Sequence, residues 1–202
     1  MSELGIGHGV ELMNKGVDIS AEVFDSYYRR TRYEPFQKCV RICQEQGFKS
    51  LIDIGTGNGH LVYLARLEGI HAIGLDIVAP DSINRVFVEK FGEKCIFFGD
   101  FNDPVSMLKY SGDCVTSINL THIFDRPALI HLLKILSNMG QYALIHVRKL
   151  MVDCLKNLGE GIEYLKVFDL YDNEVIILFK FQGKLPIDHT KKFRRTDQTI
   201  HL

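Results

Sequence analysis

Leu51-Ile52-Asp53-Ile54-Gly55-Thr56-Gly57-Asn58-Gly59-His60 is the stretch whose reading decides the fold. An apolar run rich in β-branched residues reads as a buried strand, and three alternating glycines read as a tight turn. Leu61 to Leu67 then resumes apolar spacing of helical period. A strand, a glycine loop and a helix follow one another. Glycines let such a loop take positive φ and bring its backbone against a ligand, while the helix start presents unpaired N–H groups and a positive dipole end. The site suits a ligand with anionic or hydrogen-bond-accepting groups.

Two details separate the cofactor classes that use such a loop. A dinucleotide fingerprint places a glycine or alanine three positions after its second glycine, where this chain has His60. The strand also carries Asp53, a carboxylate that would repel a pyrophosphate but accept hydrogen bonds from a cationic amino group. Both details favour a zwitterionic, amino-acid-bearing ligand over NAD.

His71 to Ile77 reads as a second buried strand ending in Asp76, at the spacing from the glycine loop that lets a carboxylate reach ribose hydroxyls. With Asp53-Ile54-Gly55-Thr56-Gly57-Asn58-Gly59, Gly74-Leu75-Asp76 and Gly99-Asp100-Phe101 in this order, the chain resembles the class I S-adenosylmethionine-dependent methyltransferases. The resemblance implies that Asp53 and the loop residues Gly55, Thr56, Gly57, Asn58 and Gly59 hold the methionine end of S-adenosyl-L-methionine. It assigns the ribose to Asp76, with Ile77 beside it, and the adenine to Asp100 and Phe101. Asn119 completes the implied cofactor set. The implied fold is α/β: a Rossmann-like, doubly wound sheet of seven strands in the order 3-2-1-4-5-7-6, mostly parallel with an antiparallel last strand, and helices on both faces.

Composition is compatible with one globular α/β domain. The 202 residues are 46% hydrophobic and 24% charged with a formal net charge of −1, so nothing global points to nucleic acid. Cys39, Cys43, Cys95, Cys114 and Cys154 form no Cys-x-x-Cys pair and no metal spacing, and read as reduced core thiols. No secretory signal and no membrane-length apolar run is visible, and a cytoplasmic, non-membrane protein is expected.

In chain order, residues 1–19 carry four glycines and no sustained period, and are expected to be flexible. Residues 20–182 form the catalytic domain, with two lid helices over 20–47; the second begins near Pro35 and stops at Gly47. Tyr27, Tyr28, Arg29 and Arg30 are candidate substrate contacts, against the plainer alternative of packed tyrosines and solvated arginines. A helix over 82–91, a third strand over 94–100, a fourth over 113–120, a helix from Asp125 to Asn138 and a fifth strand over 142–148 follow. Lys149 to Leu158 reads as a helix, and 162–170 with 174–181 as a closing hairpin. Residues 183–202 form a basic tail expected to be solvated.

The loop after the fourth strand faces the transferred methyl group, because ligands in open α/β sheets sit beyond the carboxyl ends of the strands. Neither an Asn-Pro-Pro-Tyr nor a Pro-Cys stands there, nor an aspartate between lysines. What remains resembles the small-molecule group, in which a Glu-His pair often stands where Thr121-His122 stands; the glutamate is missing, so His122 is carried over alone as base or acceptor contact. His146, near the end of the fifth strand, is either a second pocket histidine contacting substrate or a buried, hydrogen-bonded residue. The expected activity is methyl transfer to oxygen or nitrogen of a small metabolite. An RNA or protein acceptor held by Arg29, Arg30, Arg32 and the basic tail is one alternative, and an inactive cofactor-binding partner subunit is another.

Overall fold

The computed structural model describes residues 34–79, 81–118, 125–170, 173–191 and 193. The segment 1–19, the first lid helix with Tyr27, Tyr28, Arg29, Arg30 and Arg32, the loop residues Asn119 and His122, and the tail beyond 193 lie outside them.

Helix α1 spans Glu34–Glu45, strand β1 Ser50–Ile54, helix α2 His60–Leu67, strand β2 His71–Asp76, helix α3 Asp81–Phe91 and strand β3 Ile96–Phe98. Strand β4 (Gly112–Ser117), helix α4 (Arg126–Leu136), strand β5 (Gly140–Arg148), a single helical turn α5 (Val152–Leu155), and strands β6 (Ile162–Asp169) and β7 (Glu174–Phe181) complete the chain. The strands form one sheet in the order β3-β2-β1-β4-β5-β7-β6. The first five are parallel to one another, whereas β7 runs antiparallel to both β5 and β6. This is the seven-stranded arrangement expected from the glycine loop and its sequels.

Alternation along the strands builds two cores. Leu51, Cys114, Leu144, Ile176 and Leu178 face one side, where they meet Val40, Ile42, Leu61, Tyr63 and Phe87 of α1, α2 and α3. Ile52, Ile54, Val115, Ile145 and Ile177 face the other, against Leu129, Leu132, Leu133 and Leu136 of α4. Period two on the strands and period 3.6 on the helices put these residues in register. Each Leu or Ile removed from water there contributes about 1.5–3 kcal/mol. Asp125 caps α4, its Oδ1 accepting from Ala128 N–H at 2.8 Å, with Pro127 in the first turn.

Two expectations are corrected. Lys149 to Leu158 is not one helix: a 3-10 turn over Lys149–Met151 passes into the four residues of α5. Gly159 and Gly161, both at positive φ, end any continuation, and Leu150 is left 73% exposed rather than on an apolar stripe. The cysteines are not all core thiols either. Cys39, Cys43, Cys95 and Cys114 are buried, but Cys154 is exposed. Burial pushes the Cys39 and Cys114 thiols well above their ordinary range. Among the described residues no helix is long and apolar enough to cross a membrane.

Candidate functional site

Because β1, β2 and β3 are adjacent and parallel, their carboxyl ends open on one edge of the sheet. Asp53, the loop Gly55–Gly59, Asp76 and Asp100 all lie there. The loop is pinned from below, since the Gly55 and Thr56 N–H groups both donate to Leu75 O, at 2.8 and 3.2 Å.

Two of the loop's three glycines do different work. Gly59, at φ 76, is the left-handed residue before α2, and a Cβ on it would lie 2.8 Å from Ile96 Cδ1. That glycine serves packing. Gly57, at φ 55, has nothing within 4 Å of where its Cβ would stand, so its missing side chain leaves open space above the loop. It is the glycine suited to close approach of a ligand. A fourth glycine matters that motif spacing did not single out for this role: a Cβ on Gly74 would meet Thr56 Cγ2 at 2.5 Å, so Gly74 makes room for Thr56.

Asp53 is 3% exposed, and its Oδ1 accepts from Thr116 Oγ1 at 2.8 Å. The buried Thr56 hydroxyl faces the same carboxyl without the geometry of a full hydrogen bond. Burial, with a smaller contribution from the Asp76 charge, pushes the Asp53 carboxyl up to about 7 despite the hydroxyls that favour its ionised form. A carboxyl so placed could receive a cation, which would favour its ionised form. Thr116 is its partner because β1 and β4 pair Asp53 with Thr116. That pairing depends on strand order and register, which no local motif carries.

Asp76 closes β2. Its Oδ2 accepts from Gly57 N–H at 2.9 Å and its Oδ1 from Val78 N–H at 3.1 Å, so the carboxylate ties the second strand to the glycine turn. Beside it Ile77 and Val78 are 55% and 59% exposed, apolar surface next to hydrogen-bonding carboxylate oxygens. Asp100 sits in a tight turn: its Oδ1 accepts from Asn102 N–H at 2.8 Å and its own N–H donates to Ser106 Oγ at 3.0 Å. Phe101 is half-buried, its ring 5.5 Å from that of Phe193.

His60, the residue that departs from the dinucleotide pattern, stacks on Phe36 of α1 at 5.8 Å with planes 9° apart. Burial pulls its imidazole down to about 4, so it stands neutral at the positive end of α2. His146 takes the buried, hydrogen-bonded alternative of its two readings. It is fully buried, and its Nε2 lies 3.0 Å from Glu174 Oε2 across the β5–β7 pair. Thus Asp53, the glycine loop, Asp76 and Asp100 share one edge, while the candidate substrate contact His146 is inside the protein. Asn58 lies in the same loop turn between Gly57 and Gly59.

An amino-acid-bearing nucleoside fits this donor set: a buried carboxyl for an ammonium group, open backbone at Gly57, a strand-end carboxylate for hydroxyls, and exposed apolar side chains for a base.

No family model and no curated protein sequence matches the chain. Solved structures do. Magnesium protoporphyrin IX methyltransferase from Synechocystis PCC 6803, crystallised with S-adenosylhomocysteine, is similar at TM-score 0.54 and 12% identity over 74% of this chain and 83% of that one. The methyltransferase domain of bacterial CtHen1 is similar at TM-score 0.57 and 14% identity, over 74% and 97%. An O-methyltransferase from neocarzinostatin biosynthesis, in complex with S-adenosylmethionine and 2-hydroxy-5-methyl naphthoic acid, is similar at TM-score 0.56 and 13% identity, over 86% and 61%. With its strand order and these likenesses, the chain has the fold of the class I S-adenosylmethionine-dependent methyltransferases.

Proposed function

We propose that the protein is an S-adenosylmethionine-dependent methyltransferase acting on an oxygen or nitrogen of a small molecule. One observation carries the cofactor part: a buried carboxyl, Asp53, standing below a glycine turn whose middle glycine is open to approach. A phosphate-binding loop has no use for that carboxyl. The bound sulfonium would supply the activated methyl group, and the chain's task is placement. Asp53 would receive the amino group of the methionine end, Gly57 would let the ligand lie on the backbone, and Asp76 would accept from the ribose hydroxyls. Asp100 and Phe101 would hold the adenine.

Transfer from a sulfonium is an in-line displacement, so alignment of the acceptor is the main requirement, and a hydroxyl acceptor must also lose a proton. His122 is the proposed base or orienting group, on the loop beyond β4. A small acceptor is favoured over a polyanion by the balanced charge of the chain, 24 basic against 25 acidic residues.

Titration calorimetry of the purified chain with S-adenosylmethionine, S-adenosylhomocysteine, NAD and ATP, alongside Asp76→Ala, tests this reading. Saturable binding of the first two, weakened by the substitution, is the expected result. Binding of NAD alone, or of none of the four, would leave the fold without the function.

A further inference from the structure

The second face of the sheet has a gap. Between β3 and β4 the chain supplies one three-residue 3-10 turn, Pro104–Ser106, and no α-helix. Phe97, Phe101, Leu108 and Tyr110 are only partly buried there. From Phe181 the backbone crosses this face as an extended strap, and Ile187 and Phe193 pack onto the same core as those four residues. Lys184 and Lys191 are exposed, as expected of a basic tail, but Leu185, Ile187 and Phe193 are half-buried. Leu185, Ile187 and Phe193, within the stretch read as a basic tail, therefore pack against the domain.

Its path is pinned at several points. Gln182 N–H donates to Gly161 O at 3.0 Å, and Leu185 packs over Gly161, where a Cβ would come within 2.6 Å of it. Leu185 N–H donates to Ser137 Oγ at 3.0 Å, and Leu185 O accepts from Asn138 Nδ2 at 2.8 Å. Asp188 then closes a turn, its Oδ1 accepting from Thr190 N–H at 3.0 Å and Thr190 Oγ1 at 2.6 Å. The strap thus runs from the end of α4 back to its middle, where the Phe193 ring lies 5.1 Å from that of buried His131. Burial, with Lys191 nearby, holds His131 below the ordinary imidazole value, so it packs there as an uncharged ring.

Asn102 joins this strap to the functional edge. Its side-chain Oδ1 accepts from Phe193 N–H at 2.8 Å, while its own N–H donates to Asp100 Oδ1. The Phe101 ring meets Phe193 between them. We propose that the C-terminal strap substitutes for the missing helix and that Phe193, through Asn102 and Phe101, positions the Asp100 carboxylate for the amino group of the cofactor's adenine. Phe193 and Asn102 are positioning residues in this proposal, which rests on the cofactor reading above.

The probes are S-adenosylhomocysteine and S-inosylhomocysteine, in which an oxo group replaces the adenine amino group, titrated into the full chain and into Phe193→Ala and Phe193→Tyr. The wild-type chain should prefer the adenosyl ligand by about tenfold, the worth of one charge-assisted hydrogen bond. Phe193→Ala should lose most of that preference while binding the inosyl ligand nearly as before, and Phe193→Tyr should restore it. A lower melting temperature with the preference intact, or both ligands weakened equally, would make the strap a purely structural cover and overturn the proposal. A wild-type chain without preference would also overturn it. If the wild-type chain binds neither ligand, the cofactor reading itself fails.

Discussion

Asp53→Asn should make the ligand-free protein more stable at neutral and alkaline pH while abolishing its proposed cofactor binding. The carboxyl titrates near 7 in the folded chain because burial disfavours its charge, against an ordinary value of 3.8. At 1.36 kcal/mol per pKa unit, that difference of roughly three units makes holding the charge cost up to about 4 kcal/mol above neutrality. The variant's amide must find acceptors in the same space, which returns about 1–3 kcal/mol. The net gain is therefore modest, and its pH dependence is the sharper quantity. Between the two pKa values the native state retains the Asp53 proton more than the unfolded chain does, so the native state binds more protons and wild-type stability falls as pH rises. From about pH 5 to about pH 8 the variant should gain roughly 2–3 kcal/mol on the wild type, and above that the curves should run parallel. Urea unfolding of both proteins across this range, without ligand, measures it. Parallel curves throughout would refute a carboxyl whose charge is disfavoured by burial. A cofactor ammonium placed beside Asp53 would favour its ionised form, so binding to the wild type near pH 7 should also release up to roughly half a proton. Calorimetry in buffers of different ionisation enthalpy detects that release.

Three further substitutions separate packing from ligand approach. Gly74→Ala drives a methyl into Thr56, with 2.5 Å to Cγ2, and should cost about 1–3 kcal/mol in a urea melt. Unchanged stability would show that Thr56 moves freely. Gly57→Ala meets no neighbour and should cost only the left-handed backbone term of about 1–2 kcal/mol in a melt, while S-adenosylhomocysteine affinity falls more than tenfold. Equal affinity would deny close approach at this residue. Asn84 is buried, with Nδ2 donating to Ile96 O at 2.8 Å and Oδ1 accepting from Ile96 N–H at 3.0 Å and Cys95 N–H at 3.2 Å. Asn84→Ala should cost about 2–4 kcal/mol and speed amide exchange at Cys95 and Ile96; protection there equal to wild type would contradict the clamp.

The placing of Asp53, the glycine turn, Asp76 and Asp100 on one edge of the candidate site was legible in the order of residues along the chain. A glycine turn following a strand, an acid at the end of the next strand and an acid after the third are local patterns, and each is read through backbone geometry and the reach of one side chain. The hairpin at 162–181 was visible for the same reason. The failures were of another kind. Lys149 to Leu158 has helical composition, yet only Val152–Leu155 is α-helical, after a 3-10 turn over Lys149–Met151, and the positive-φ glycines at 159 and 161 bar its continuation.

Sequence alone determined the alternation of strands and helices, the glycine turn and the three acids on one sheet edge, because period, turn chemistry and strand polarity are local properties. Tertiary structure decided which neighbours complete them. Thr116 meets Asp53 by pairing of β1 with β4, Gly74 clears space for Thr56, and Glu174 meets His146 across β5 and β7. The C-terminal strap is the clearest case. Phe193 lies 91 residues from Asn102, and its place over the β3–β4 connection follows from a gap in the helical layer that exists only once the sheet has formed. Long-range pairing and the filling of space are settled jointly by the whole chain, so no window of sequence contains them.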